Sequence, residues 1–125
     1  MFDHLSIGVR DLDSARRFYD AFFAPLGCAD AGSTAAELAY GPGGESRQFY
    51  LYPVAGDQVQ GLGAHIAFTA ADRAAVDAAY AAAVANGAAT LRAAGPHPDI
   101  APDYYGAVLL DPDGNKLEVL LNTMH

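Results

Sequence analysis

Tryptophan is absent from this chain and cysteine occurs once, at Cys28. A lone thiol forms no disulfide within its own chain, so an oxidising compartment is not called for. Cys28 follows Gly27 just after a helical stretch and reads as a buried, inert thiol rather than a nucleophile. Basic residues are also scarce: seven Lys and Arg stand against fifteen Asp and Glu, for a net charge of −8. That balance, with no basic cluster, excludes nucleic acid and anionic membrane surfaces as partners, since both reward clustered cations. No run approaches the roughly 18 apolar residues of a membrane span. Asp3 and His4 interrupt any early apolar leader. A soluble, cytoplasmic protein is the expectation. What remains is 125 residues, 52% hydrophobic, with six Phe and seven Tyr for bulk. That is enough for one domain, or for two small half-domains sharing a core.

The second description fits the pattern better. A strand is expected over Phe2–Val9, with Leu5, Ile7 and Val9 on one face and His4, Ser6 and Gly8 on the other. Asp11 and Asp13 offer caps for a helix from about Ser14, in which Ala15, Phe18, Tyr19, Phe22 and Phe23 recur at helical spacing. Pro25 and Gly27 end it. Strands follow near Ala35–Tyr40 and Arg47–Tyr52, joined by Gly41-Pro42-Gly43-Gly44. Residues 1–53 thus form a first module, and 54–63 a glycine-containing crossover.

Residues 64–125 repeat the plan. A strand from Leu62 to Phe68 turns Ile66 and Phe68 one way, and His65 and Ala67 the other. Thr69-Ala70-Ala71-Asp72 has capping-box form before an Ala-rich helix to about Asn86, where Gly87 suits the C′ position. Strands are expected near Ala89–Arg92, Tyr105–Leu110 and Lys116–Leu121, the last two joined by the turn Asp111-Pro112-Asp113-Gly114. His65 follows His4 by 61 positions, and the same offset pairs Asp11 with Asp72 and Tyr19 with Tyr80.

In each half the helix must cover the apolar face of the first strand. His4 and His65 therefore point to the opposite, concave side, and Glu118 joins them by parity against Leu117, Val119 and Leu121. Two imidazoles and a carboxylate are a set that holds a divalent metal while leaving positions open for a substrate. Such a site accepts Zn, Ni, Mn, Co or Fe. His97, in the loop Gly95-Pro96-His97-Pro98, and His125, near the end of the sequence, are weaker candidates, with His97 placed at a cavity mouth.

These segments resemble the vicinal oxygen chelate superfamily, also called the glyoxalase / bleomycin resistance / extradiol dioxygenase family. The resemblance is carried by Phe2–Val9 with the helix Ser14–Tyr19, by Gly63–Phe68, and by Tyr104-Tyr105-Gly106 leading into Leu110–Glu118. It implies an α+β fold of paired βαβββ modules, forming a curled mixed sheet around a cavity with helices outside. It also implies that His4, His65 and Glu118 are the metal ligands, on the first, fifth and eighth strands. Glyoxalase I members carry a further Glu on the fourth strand. Here that strand offers Gln48, Tyr50 and Tyr52 to the cavity instead, with no carboxylate. Tyr50 and Tyr104 are the expected catalytic residues, orienting the bound substrate, and Gln48, Tyr52, His97 and Tyr105 are expected to line the pocket. Tyr104 or Tyr105 would donate a hydrogen bond to a metal-bound oxyanion.

The implied function is a metal-dependent enzyme that chelates a small oxygenated substrate, by lyase, isomerase or dioxygenase chemistry. The loop His97–Tyr105 holds Asp99 and Asp103 without Lys or Arg, which argues against an anionic phosphonate substrate. The alternative is a metal-free, ligand-sequestering protein of the bleomycin-resistance type, suited by the acidic balance and the tyrosines. Exposed sheet edges make a homodimer the expected assembly in either case.

Overall fold

The computed structural model describes residues 2–56 and 63–121. Among these, the first half contains β1 (Leu5–Val9), α1 (Leu12–Phe23), a 3-10 turn (Ala24–Leu26), β2 (Cys28–Asp30), β3 (Leu38–Pro42) and β4 (Phe49–Pro53). The second contains β5 (Ile66–Ala70), α2 (Arg73–Ala85), β6 (Ala89–Pro96), β7 (Tyr105–Leu110) and β8 (Lys116–Leu121). Each half is therefore βαβββ. Strand β2 had no counterpart among the strands placed from the sequence, and β6 runs four residues beyond the expected Arg92. The strand expected from Leu62 is described only from Ile66; Leu62 and His125 lie outside the described residues.

The helix starts are set by carboxylates. Asp11 caps α1 by accepting from the backbone N–H groups of Asp13 and Ser14 at 3.3 and 3.1 Å, so the helix opens before the expected Ser14. At α2 the cap is Asp72 itself, accepting from Ala75 N at 2.8 Å, and not Thr69 as the capping-box pattern suggested. Asp72 is the residue whose carboxylate stands one turn before the first free N–H groups. Beyond the helix, Gly87 takes φ +101°, the left-handed backbone expected at C′.

Each half builds its own mixed sheet of four strands, in the orders β1-β4-β3-β2 and β5-β8-β7-β6. In both, the first and fourth strands pair in parallel and the hairpin strands pair antiparallel. The described strands form two open sheets, neither closed into a barrel. The inner rows of both sheets and the apolar faces of both helices join in one core. Phe68 of β5 bridges the halves, meeting Phe22, Phe23 and Phe49 edge-on with centroids at 5.8, 5.1 and 5.4 Å. A polar clasp adds to this. Tyr19 of α1 donates to buried Asp111 at 2.8 Å, Asn115 Nδ2 donates to Gly8 O at 3.0 Å, and Arg10 N donates to Asp113 Oδ1 at 3.0 Å. These contacts fix one half against the other and leave the outer face of each sheet uncovered by its helix. No helix among the described residues is long and apolar enough to cross a membrane.

Candidate functional site

The outer faces carry the chemistry. In the second half, His65 stands immediately before β5, and Ala67, two residues on, pairs with Glu118 of β8. Alternation then puts His65 and Glu118 on one face. His65 Nε2 lies 3.6 Å from Glu118 Oε1, with the two side chains 47% and 15% exposed. Two atoms bound cis to one cation at about 2.0–2.2 Å each stand roughly 3 Å apart, so this pair is close to a chelating geometry. The other oxygen of Glu118 is occupied: Tyr104 OH donates to Oε2 at 2.8 Å. Burial and the neighbouring carboxylate raise the Tyr104 pKa above the ordinary phenol value, which keeps this hydroxyl protonated and donating.

A glycine makes that contact possible. A Cβ built on Gly106 would stand 2.6 Å from both Tyr104 Oη and Val119 O, so the phenol folds directly over the Gly106 backbone. Gly106→Ala would crowd the phenol and, equally, the Val119 carbonyl of the β8 backbone, so it disturbs the sheet as well as Glu118, whereas Tyr104→Phe removes only the hydroxyl. If Glu118 binds a metal, each variant should weaken divalent-metal affinity by roughly 10- to 100-fold, the usual cost of losing a group that orients a ligand. Calorimetric titration checks both.

The first half repeats the arrangement with one change. His4 precedes β1, and Ser6, two residues on, pairs with Tyr50 of β4. Tyr50 therefore occupies in the first sheet the place of Glu118 in the second. Its ring meets His4 edge-on at 5.3 Å and stacks on Tyr52 at 6.1 Å and 15°. His4 Nδ1 donates to Asp3 Oδ1 at 2.6 Å, leaving Nε2 as the ring nitrogen open to a ligand. A hydrogen bond to Glu37 raises the Tyr52 pKa.

The single chain does not bring the three expected ligands together. His65 and Glu118 form a pair on one sheet, and His4 sits on the other. Among the described residues no three His, Cys, Asp or Glu side chains gather as a metal centre would require. One pocket expectation needs correction. Tyr105 lies on the helix side: its hydroxyl donates to Asp77 Oδ1 at 2.7 Å and its ring carries the Arg73 guanidinium at 4.8 Å, both partners belonging to α2. Odd positions of β7 face inward, which explains it. Gln48 borders a different, largely apolar cavity of about 300 Å³ between the halves, with Leu5, Phe49, Ile66 and Phe68. His97 packs its ring 5.8 Å from that of Tyr104 and bonds the Ala93 carbonyl through Nε2 at 2.8 Å, placing it behind the tyrosine.

A cavity of about 300 Å³ opens beside His65 and Glu118. Its other walls are residues not singled out from the sequence: Arg92 and Lys116 are its cations, and Leu91, Ile100 and Val108 its apolar sides. The loop residue Asp99 is not a free anion here. Its carboxylate is gripped by both guanidinium nitrogens of Arg92 at 3.1 and 2.8 Å, which holds the Asp99 pKa below the ordinary value. Counting charges in the loop alone therefore missed the cations that neighbouring strands supply.

Two βαβββ modules, each building a mixed four-stranded sheet over a shared core, define the class of protein to which the fold belongs. The chain belongs to the Glyoxalase/Bleomycin resistance protein/Dioxygenase superfamily, whose family model matches residues 1–119. It is similar to a glyoxalase/bleomycin resistance protein from Albidiferax ferrireducens T118, with 31% identity, 98% of each chain covered and a TM-score of 0.82. A glyoxalase/bleomycin resistance protein/dioxygenase family enzyme from Burkholderia phytofirmans PsJN shares the fold at 19% identity and TM-score 0.72, with 95% of this chain and 96% of that one covered. A glyoxalase-related enzyme from Fulvimarina pelagi does so at 19% and 0.71, covering 94% and 85%. A search of the curated proteins finds no match.

Proposed function

We propose that this chain is a metal-dependent enzyme acting on a small oxygenated molecule, and that two copies complete each site. The observation that carries this reading is the equivalence of the two outer faces. Each presents a histidine at the start of its first strand, beside the matching residue of its fourth strand, yet one chain holds these faces on separate sheets. Among the described strands, β1 and β5 are edges of their sheets, open to association. A twofold homodimer in which the first half of one copy faces the second half of the other forms two sites. Each contains His4 from one copy and His65 with Glu118 from its partner.

The donor set fits Zn, Ni, Mn, Co or Fe. When bound, such an ion supplies Lewis-acid stabilisation of negative charge developing on the substrate's oxygens. The protein's own groups prepare that step. Asp3 fixes the His4 ring, Tyr104 holds Glu118 in place, and the protonated Tyr104 hydroxyl is a donor rather than a base. Tyr50 fills the position where a second carboxylate would serve as ligand and base, so its part is to orient the substrate. Lyase, isomerase and dioxygenase chemistry all share the polarised-oxygen step that this arrangement supports.

Protein purified without chelators should retain about one divalent ion per chain, and adding a chelator should lower its melting temperature. At free ion one hundred times Kd the ion is worth about 2.7 kcal/mol of stability. A protein that stays metal-free in excess Zn, Ni, Mn, Co and Fe contradicts the enzyme. It favours instead sequestration of an aromatic or cationic ligand, for which the stacked Tyr50–Tyr52 pair is the supporting observation.

A further inference from the structure

The cavity beside His65 and Glu118 carries more than the candidate ligands. Pairing across the second sheet sets Ala67, Glu118, Val108 and Arg92 side by side in one row over four strands, so all four side chains share the outer face. Arg92 stands two strands from Glu118, on the order of 10 Å between backbones. The pairing of β6 with β7 shifts register on both sides of Arg92, between Thr90 and Arg92 and again before Gly95. Such irregularities re-aim a side chain that regular alternation would turn elsewhere. Lys116 borders the same cavity and makes no ion pair among the described residues. A chain with only seven Lys and Arg has thus placed two of them here. Leu91 and Ile100 line it too, and in the single chain both remain about half exposed, at 51% and 44%.

We propose that this cavity binds a small organic carboxylate, with Arg92 as the anchor for the carboxylate group and Leu91, Ile100 and Val108 enclosing its apolar body. The Arg92–Asp99 pair supplies the geometry. The guanidinium grips the Asp99 carboxylate with two nitrogens, the fork a ligand carboxylate would take. Both partners are solvent-exposed, 39% and 62%, and an exposed pair of this kind is weak enough to be exchanged. Asp99 is then a placeholder that the ligand's own carboxylate displaces. This reading rests on the outer face being the substrate side. It does not depend on whether a metal binds there.

Calorimetry on the full-length protein, once with Zn supplied and once with chelator present, tests it with benzoate, mandelate, their neutral amides and phenylphosphonate. At least one carboxylate should bind tenfold or more tightly than its amide in both conditions. Arg92→Gln should abolish that preference. Asp99→Asn should strengthen carboxylate binding severalfold by freeing the guanidinium, an effect opposite in sign to that of a merely structural loss. Equal binding of acids and amides, or no binding of either, overturns the proposal. So does a preference that survives in Arg92→Gln, weaker carboxylate binding in Asp99→Asn, or tighter binding of the phosphonate. Failure of the metal reading is distinguishable, because it would leave the Arg92-dependent preference intact with chelator present.

Discussion

His65→Ala should leave a folded protein that retains no divalent ion after dialysis, where the wild type is expected to retain about one per chain. The argument rests on the pair as built. His65 Nε2 and Glu118 Oε1 stand 3.6 Å apart on an open face, and His65 is half exposed with little to support in the core. Its loss should cost the fold little and the metal one of its three proposed ligands, so affinity should fall by well over the roughly 10- to 100-fold expected of Tyr104→Phe. Glu118→Gln should act similarly, because it removes the only negative charge among the proposed ligands. Circular dichroism separates this outcome from unfolding. A His65→Ala protein that binds Zn, Ni, Mn, Co or Fe as the wild type does would remove the residue from the site.

Asp111→Ala should have the largest effect on stability. Asp111 is 3% exposed, and each of its oxygens accepts two hydrogen bonds. Oδ1 takes the backbone N–H groups of Asp113 and Asn115 at 2.9 and 2.8 Å. Oδ2 takes Tyr19 OH at 2.8 Å and Asn115 Nδ2 at 2.9 Å. Removing the carboxylate strands a fully buried tyrosine hydroxyl and a buried amide, and loosens the turn whose Asn115 ties β8 to Gly8 of β1. A loss of about 3–5 kcal/mol is expected, a drop in melting temperature on the order of 10–20 °C. Tyr19→Phe, which leaves three of the four donors in place, should cost about 1–2 kcal/mol. Burial outweighs these hydrogen bonds and raises the Asp111 pKa. A carboxyl raised in the folded state favours folding most below about pH 4 and less as pH rises through its folded value. The Asp111→Ala deficit should accordingly be no smaller at pH 4 than at pH 7 in denaturant melts. Acid lability belongs to groups such as Asp11, whose pKa is lowered by Ser14, and whose contribution is lost as pH falls through that value.

Much of this was legible in the sequence because a strand has a period of two. Alternation around His4, His65 and Glu118 assigned each to the face opposite the helix, and the observed pairings of Ser6 with Tyr50 and Ala67 with Glu118 agree with it. The same alternation, over the strand expected and found at Tyr105–Leu110, turns Tyr105 toward α2 with buried Ala107 and Leu109, so the sequence already carried the parity that its assignment to the pocket overlooked. What alternation does not carry is the relation between sheets. Parity says that two side chains face the same way from their own helices, not that the two faces meet, and Phe68 packing into the first half's aromatics holds them on separate sheets. Strand β2 was missed because Cys28-Ala29-Asp30 is too short to alternate. Arg92 was missed because the irregular pairing around it breaks the period that would have pointed to it.

The central claim is that one copy's His4 and another's His65 and Glu118 make a common site, and mixing two inactive variants tests it most directly. His4→Ala and Glu118→Gln are each expected to bind no metal. In mixed dimers, one of the two composite sites carries both lesions and the other carries neither. After unfolding and refolding together in equal amounts, the mixture should recover about one ion per four chains, as random pairing of subunits gives. Recovery of none, while each variant alone refolds to a dimer, would contradict a site shared between copies.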